Sequence, residues 1–183
     1  MEPDMRPELQ LRSERIFDGR VVSLRVDAVS LPGGGEAIRE VVEHKASAVI
    51  VPLDDDGNVV MVRQYRYAVG QVVLEAPAGL VEDSESPEEC ARRELQEEIG
   101  YAATDMTPLG GFWPSPGFCD EFIHAFLASG LEPSRLAADE DENIEVVRYS
   151  VARVVEMIRA GEIQDAKTIV AVLLAAPRLE EPR

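Results

Sequence analysis

The sequence is poor in cysteine, in aromatic residues and in basic residues, and it lacks a long apolar run. Its two cysteines, Cys90 and Cys119, do not have the spacing of a metal-binding pair, which argues against a disulfide framework and a cysteine-based zinc site. No apolar segment approaches the ~20 residues that a membrane-spanning helix needs, and the polar start is unlike a secretion signal. These absences favour a cytoplasmic protein that does not bind membranes.

The shortage of basic residues gives the chain a strongly acidic balance. Lysine and arginine total 18 against 35 aspartates and glutamates, so the formal net charge is −17. Such a chain repels nucleic acid and anionic membranes, and neither is expected as a general partner. A phosphate-bearing substrate would need a metal ion to offset the repulsion, although most of the acidic surface serves solubility. The length of 183 residues fits one compact domain with a small appended subdomain.

Runs with strand-like patterns are interrupted by a few helical segments. We expect strands at 21–30, 36–44, 47–53, 58–66, 71–77, 121–129 and 143–150, and helices at 86–99, 151–160 and within 165–177. The segments LPGGGE and DDDGN are typical of hairpin turns. LPGGGE is not expected to be a phosphate loop, because no helix follows it. DDDGN is not expected to be a calcium loop, because the remaining ligand positions are missing. Residues 1–11 are polar, and we expect them to be loosely attached. The pattern predicts an α+β fold with a mixed sheet.

Residues 86–100, SPEECARRELQEEIG, have the pattern of a complete helix. Ser86 suits the cap, Pro87 suits the first helical position, and Glu89 completes a capping box. Gly100 supplies the left-handed conformation in which helices often end. One apolar stripe, which we expect to face the core, consists of Ala91, Leu95 and Ile99.

Three carboxylates, Glu94, Glu97 and Glu98, lie on the stripe that adjoins this apolar face. If they form a solvated face, like charges one turn apart cost only about 0.2–0.5 kcal/mol per pair. If they form a metal site, they supply the oxygen ligands that Mg²⁺ prefers. Helix geometry alone favours the solvated face.

The residues that precede the helix reverse this preference. Counted from Gly79, the chain has five residues, a glutamate, seven residues and then RELQEEIGY. This arrangement resembles the Nudix box at each of its specified positions, which are Gly79, Glu85, Arg93, Glu94, Leu95, Glu97, Glu98, Gly100 and Tyr101. Nine fixed residues at fixed spacing, in a strand–loop–helix context, make a highly specific signature.

The resemblance to Nudix hydrolases implies a fold and a reaction. The fold is an αβα sandwich around a mixed sheet, and the reaction is hydrolysis of a nucleoside diphosphate linked to another moiety. It also implies divalent cations, with Mg²⁺ expected and Mn²⁺ as an alternative. By this similarity Glu94 and Glu98 bind the metal, and Glu97 lies close to it as a ligand or through water.

The same resemblance assigns supporting roles to neighbouring residues. Arg93 would orient the carboxylates through charge-assisted hydrogen bonds, and Glu85 would pair with Arg93 instead of contacting substrate. Gly79 would let the backbone approach the metal, and the carbonyl of Ala78 would be a further ligand.

Residues outside the box point to the substrate. The segment SPGFCDE, 115–121, resembles the proline-bearing signature of ADP-ribose pyrophosphatases, which makes Pro116 and Gly117 candidates for substrate binding. Taken alone, a Pro-Gly pair favours a simple turn. The acidic segment 138–146 taken alone favours an exposed loop, but it is similar to the catalytic loop of the same enzymes.

Matching that loop places the general base on Glu140 and a metal-linked carboxylate on Glu142. A slip of one position stays open, because the neighbours Asp139, Asp141 and Glu145 are also acidic. Nearby cations would keep such a base anionic.

A third resemblance concerns residues 62–79 and the N-terminal strands. Arg63 or Arg66 would bind phosphate, with a surface salt bridge as the other interpretation. In this subfamily the N-terminal strands form a small antiparallel subdomain that is exchanged across a homodimer and contacts the adenine. This implies subdomains at 1–45 and 46–183, with Arg39 and Glu40 as candidate adenine-side residues.

The sequence therefore predicts Mg²⁺-dependent hydrolysis of ADP-ribose to AMP and ribose 5-phosphate. One alternative is another nucleoside diphosphate sugar, such as GDP-mannose, or a broad specificity. A more remote alternative is a Nudix-fold binding or regulatory domain without activity, although such domains usually have a degraded box.

Overall fold

The computed structural model describes residues 6–137 and 143–179. Along the chain the strands and helices are β1 (Leu9–Asp18), β2 (Val22–Ser30), β3 (Glu36–His44), β4 (Ser47–Pro52), β5 (Asn58–Arg66), β6 (Gln71–Glu75), β7 (Ala78–Leu80), α1 (Pro87–Glu94), β8 (Tyr101–Phe112), β9 (Ile123–Pro133), β10 (Ile144–Ser150), α2 (Val151–Arg159) and α3 (Ala166–Leu179). A 3₁₀ turn, Tyr67–Val69, joins β5 to β6, and a π-helical turn, Leu95–Ile99, follows α1 directly. Within these described ranges, no helix has the length and apolar character of a membrane span.

The described chain divides into two compact units. The N-terminal unit contains the described residues of 1–45 together with 115–121, and the main unit contains the rest. In the N-terminal unit, β1, β2 and β3 form an antiparallel sheet in that order. The segment 115–121 lies along β3, where Val42 N–H donates to Phe118 O at 2.8 Å and Val42 pairs with Cys119.

The main unit contains a mixed four-stranded sheet and an antiparallel three-stranded sheet. The mixed sheet has the order β7-β4-β9-β8, in which β4 and β9 are parallel and the other pairs are antiparallel. The second sheet has the order β10-β5-β6. The predicted α+β fold with a mixed sheet is confirmed.

Strand β4 lies between two helical layers, and all six of its residues are buried. Val49 and Val51 pack in the cluster that contains Val154 of α2 and Val172 of α3. Ala48 and Ile50 pack in the cluster that contains helical residues Ala91, Leu95 and Ile99. Because successive side chains of a strand point to opposite faces, this alternation gives the αβα sandwich that the resemblance implied.

Two expectations about the strands were wrong. Residues 9–11 do not form a loose terminus but begin β1, whose residues Leu9–Asp18 pair with β2. The DDDGN turn is present, since the Asp54 carboxylate accepts hydrogen bonds from Asp56 N and Asn58 N at 3.1 and 2.8 Å. However, β4 and β5 diverge into different sheets beyond a single bridge at Leu53 and Val59, so these strands do not form a regular hairpin.

Candidate active site

The predicted capping box begins helix α1. Ser86 Oγ accepts a hydrogen bond from Glu89 N at 3.3 Å, and Glu89 Oε2 accepts one from Ser86 N at 2.7 Å. Pro87 occupies the first helical position, where its missing N–H is no loss. Local sequence therefore fixes where the helix starts, and with it the rotation of every later side chain.

The end of this helix differs from the prediction of one continuous α-helix over 86–99. Regular α-helix stops at Glu94, and Leu95–Ile99 form a π-helical turn in which Gly100 N donates to Leu95 O. Gly100 has φ 78°, the left-handed conformation expected of it. π-Helical turns are rare and are frequent at functional sites, and this one carries Glu97 and Glu98.

The apolar stripe is buried as predicted, and two of the three carboxylates are buried with it. Glu94 is 7% exposed and Glu98 is 3% exposed, whereas Glu97 is only partly buried. Burying a carboxylate is costly unless it is paired or binds a metal. The solvated-face interpretation is therefore wrong for Glu94 and Glu98.

Glu94 is held against strand β7 by its neighbours. Arg93 Nη1 donates to Glu94 Oε1 at 2.6 Å. On the other side, a β-carbon added at Gly79 would overlap Oε1 and the carboxyl carbon of Glu94. Any side chain at this box position would therefore displace the Glu94 carboxylate from its place beside β7.

Glu98 approaches the same strand one residue earlier. Ala78 N donates to Glu98 Oε2 at 3.2 Å, so the two buried carboxylates meet the backbone of consecutive residues, Ala78 and Gly79. Two carboxylates beside a strand backbone form an all-oxygen donor set, which fits a hard divalent cation. Among the described residues, no group of three or more acidic, histidine or cysteine side chains is preassembled around a metal position. The further metal-linked carboxylate that was predicted, Glu142, and the predicted base, Glu140, lie outside the described residues.

Arg93 connects the residues of the box. Its Nη1 also donates to Glu97 Oε2 at 2.7 Å, and its Nη2 donates to Glu85 Oε1 at 2.8 Å and to Leu80 O at 3.1 Å. The pairing of Glu85 with Arg93 that the resemblance implied is present. Hydrogen bonding from Arg93 lowers the pKa of Glu85 to about 2, and these carboxylates raise the pKa of Arg93.

The two arginines of β5 lie in different surroundings. Arg63 Nη2 donates to Tyr149 OH at 2.7 Å and Nη1 donates to Glu145 Oε2 at 3.3 Å, both on strand β10. Arg66 makes two hydrogen bonds to the carboxylate of Glu75, and these bonds raise its pKa. The charge of Glu98 makes a smaller contribution in the same direction.

Four further predicted residues belong to the N-terminal unit. Arg39 and Glu40 are exposed on β3, and Arg39 pairs with Glu8 at 2.5 Å. Pro116 and Gly117 lie in the turn that Phe118 N and Cys119 N close on Ser115 O, at 3.2 and 3.0 Å. The structure brings this turn and β3 into one unit through the pairing of Val42 with the 118–120 segment.

Sequence reasoning missed a buried ionic cluster next to the box. Glu75, at the end of β6, is 2% exposed and contacts both Arg66 and Lys167. The signal was present in the sequence, since a single glutamate interrupts the apolar run QVVLEAP. Its partner Lys167 was unforeseeable by spacing, because it lies on α3, far away in the chain.

Comparison with known proteins agrees with this geometry. A NUDIX domain model matches residues 43–172. The chain is 40% identical over 168 residues to the ADP-ribose pyrophosphatase of Bacillus subtilis (strain 168), covering 90% of each chain. It is 34% identical over 179 residues to the GDP-mannose pyrophosphatase of Salmonella typhimurium (strain LT2), covering 90% of this chain and 93% of the relative. The crystal structure of an ADP compounds hydrolase has the same fold, with a TM-score of 0.88, 24% identity and 97% of each chain covered. The chain therefore belongs to the NUDIX domain family.

Proposed function

We propose that this chain is a Mg²⁺-dependent pyrophosphohydrolase that converts ADP-ribose to AMP and ribose 5-phosphate. The observation that carries the proposal is the buried pair Glu94 and Glu98, which meet the backbone of Ala78 and Gly79. The choice of ADP-ribose as substrate is supported by a relative that is 40% identical across 90% of both chains and is named ADP-ribose pyrophosphatase. Together they give a reaction class and a substrate.

Glu94, Glu98 and the Ala78 carbonyl would hold the cation, with Glu142 as a further ligand. A bound Mg²⁺, or Mn²⁺ in its place, supplies positive charge that stabilises the charge developing on phosphoryl oxygens. Arg93 fixes the orientation of Glu94 and Glu97 through bonds of 2.6 and 2.7 Å, so neither carboxylate has to be ordered when substrate binds. Glu140 would be the general base that takes a proton from the attacking water.

Arg66 is the better candidate of the two β5 arginines for binding phosphate. Arg63 bonds to Tyr149 and Glu145 on β10. Arg66 bonds to Glu75 through one edge of its guanidinium and lines a pocket, and the charge of Glu98 contributes to its raised pKa. A bidentate arginine suits phosphate because its planar fork presents parallel N–H donors.

We further propose that the N-terminal unit binds the adenine side and is exchanged in a homodimer of a cytoplasmic enzyme. Four apolar residues of β1 are more than half exposed in the single chain, and they are Leu9, Leu11, Ile16 and Phe17. Exposed apolar side chains grouped on one strand are typical of a surface that a second copy covers. Arg39, Glu40, Pro116 and Gly117 would then contact the nucleotide.

Light scattering after gel filtration tests the homodimer, and a monomeric mass would contradict it.

The decisive experiment is a panel of nucleoside diphosphate sugars incubated with the purified chain and Mg²⁺, with and without EDTA. We expect ADP-ribose to have the highest kcat/KM, with AMP and ribose 5-phosphate as products and no turnover in EDTA. Equal or faster hydrolysis of GDP-mannose would overturn the ADP-ribose assignment. That outcome is the second candidate, which the 34% identical GDP-mannose pyrophosphatase favours.

A Glu98→Gln variant separates the enzyme from a binding domain of the same fold. The amide keeps the size of the side chain but removes the charge that would bind the cation, so we expect kcat to fall by about 100-fold or more. A matched Glu156→Gln change in the exposed part of α2 is expected to retain full activity. Unchanged hydrolysis in Glu98→Gln would contradict the assigned role.

A further inference from the structure

A buried carboxylate that the reaction does not use lies at the end of β6. Glu75 is 2% exposed, and it contacts one cation from β5 and one from α3, Arg66 and Lys167. Burial raises the pKa of Glu75, but the hydrogen bond from Arg66 and the charge of Lys167 lower it below its ordinary value. The carboxylate is therefore ionised and shared between two cations.

Arg66 meets this carboxylate in a bidentate manner. Its Nε donates to Oε1 at 2.7 Å and its Nη2 donates to Oε2 at 2.8 Å. This arrangement uses one edge of the guanidinium, so the Nη1 edge is directed away from Glu75. Arg66 also lines a pocket of about 480 Å³, whose other lining residues are Val69, Gln71, Val73, Glu75, Gln164, Asp165, Ala166 and Lys167.

Lys167 ties the cluster to the first turn of α3. Its ammonium contacts Glu75 and lies 3.0 Å from Asp165 Oδ2. Asp165 Oδ2 in turn accepts from Thr168 Oγ1 at 2.6 Å, and Thr168 Oγ1 accepts from Ala76 N at 2.7 Å. The first turn of α3 thus holds both the backbone N–H of Ala76, two residues before Ala78, and the ammonium of Lys167.

The sequence contains only two lysines, Lys45 and Lys167, among 35 acidic residues. The placement of one of them against a buried carboxylate offsets a charge that Arg66 alone would otherwise have to balance. Arg66 remains 40% exposed, and a long exposed side chain loses rotamer entropy when it is fixed by a ligand. A carboxylate that fixes Arg66 beforehand removes part of that cost.

We propose that Glu75 and Lys167 are positioning residues, which hold the Arg66 guanidinium ready to bind the diphosphate of the substrate. The proposal rests on the pyrophosphohydrolase function above and deepens it, because it adds α3 to the elements that determine substrate affinity. Neither side chain touches the reacting atoms. Their effect is therefore expected in substrate binding and not in the chemical step.

Steady-state kinetics of Lys167→Met with ADP-ribose and Mg²⁺ test this. We expect KM to rise about tenfold with kcat changed less than threefold, the split that loss of uniform binding produces. Lys167→Arg retains a cation beside Glu75 and is expected to restore KM to within about threefold of the wild type. Arg153→Met, which removes a surface cation paired with Glu162, is the matched control and is expected to behave as wild type.

A double-mutant cycle separates positioning from a merely structural role. If Lys167 acts through Arg66, the Arg66→Lys/Lys167→Met double variant has nearly the KM of Arg66→Lys alone. Three results would overturn the proposal. They are a double variant whose rise in KM is the product of the two single rises, an unchanged KM in Lys167→Met, and a fall in kcat without a change in KM. Should Lys167→Met fail to fold, Glu75→Asp takes its place, because a carboxylate shortened by one methylene keeps its charge and loses its reach to Arg66.

Calorimetry with ADP keeps this test independent of the substrate assignment. If the wild type does not hydrolyse ADP-ribose, the proposed function has failed, but weaker ADP binding by Lys167→Met still supports the positioning role. Equal ADP affinity in wild type and Lys167→Met contradicts the positioning role, whatever the substrate.

Discussion

At the scale of single residues, the site depends on carboxylates that the fold buries and on small residues that leave room for them. Glu94 and Glu98 are buried, whereas Glu88 and Glu89 on the same helical segment are exposed. Charge alone does not distinguish the buried glutamates from the exposed ones. The distinction comes from strand β7, whose backbone meets both carboxylates at Ala78 and Gly79. The carboxylates proposed to bind metal thus differ from the exposed ones in what packs against them.

Gly79→Ala tests this packing. The new methyl group would overlap the Glu94 carboxylate, which has to move away from β7 and from Arg93. We expect the Mg²⁺ concentration at half-maximal activity to rise about tenfold or more, as perturbed ligand orientation does elsewhere. Gly33→Ala is the control, because a β-carbon there meets no atom within 4 Å. A Mg²⁺ requirement equal to that of the wild type would contradict this account.

Glu85 gives the fold a measurable dependence on acid. Its pKa is lowered from 4.5 to about 2 by the hydrogen bond from Arg93, so the charged form stabilises the folded state. That stabilisation is complete above pH 4.5 and is lost as the pH falls through 4.5 towards 2. Urea unfolding between pH 5 and pH 3 is expected to show a smaller loss of stability with acid in Glu85→Gln than in the wild type. Parallel curves for the two proteins would show that the pair does not stabilise the fold.

At the scale of elements, the position of α1 is set by its own first residues. Ser86→Ala removes the acceptor for Glu89 N and is expected to lower the free energy of unfolding by about 1 kcal/mol. Because the carboxylates proposed to bind the metal lie further along the helix, the same variant is expected to keep its activity at low temperature. Urea titration followed by circular dichroism measures the first effect. Glu89→Gln, which keeps an acceptor for Ser86 N, is expected to lose less stability.

Local patterns predicted this helix and its buried stripe well, because capping and periodicity depend on residues close in sequence. Ala91, Leu95 and Ile99 are all buried as predicted. The π-helical turn was missed, since Leu95–Ile99 has the same apolar spacing in an α-helix. β1 was missed because six of its ten residues are polar or charged and its apolar residues do not alternate along the whole strand.

Contacts between distant parts of the chain were beyond sequence reasoning. Lys167 on α3 reaches Glu75 on β6, and Arg63 reaches Tyr149 on β10. Spacing in one chain carries no information on such pairs. Residues 138–142 lie outside the described ranges, so the assignment of Glu140 and Glu142 stays a prediction that depends on resemblance alone.

At the scale of the whole molecule, the net charge of −17 leads us to expect that bound cations raise the free energy of unfolding. If Glu94 and Glu98 bind Mg²⁺ in the folded state only, the ion stabilises the fold by about 2.7 kcal/mol at 100 times its Kd. For a chain of this size, that corresponds to a rise in Tm of roughly 5 °C or more. Thermal unfolding with Mg²⁺ against EDTA measures it, and Glu98→Gln is expected to lose most of the rise. An equal rise in that variant would mean that the ions act on surface charge in general.

The arrangement of β4 also has a consequence for how the chain folds as it is synthesised. β4 is apolar on both faces, and its parallel neighbour β9 follows only after α1 and β8 in sequence. A parallel pair of this kind closes a long loop before it gains any contact, which makes its formation slow. Until β9 has left the ribosome, β4 can pair only with the short strand β7, so one edge of an apolar strand stays open, the kind of segment on which nascent chains associate. The strand at the centre of the finished core is therefore also one whose pairing is completed late in synthesis.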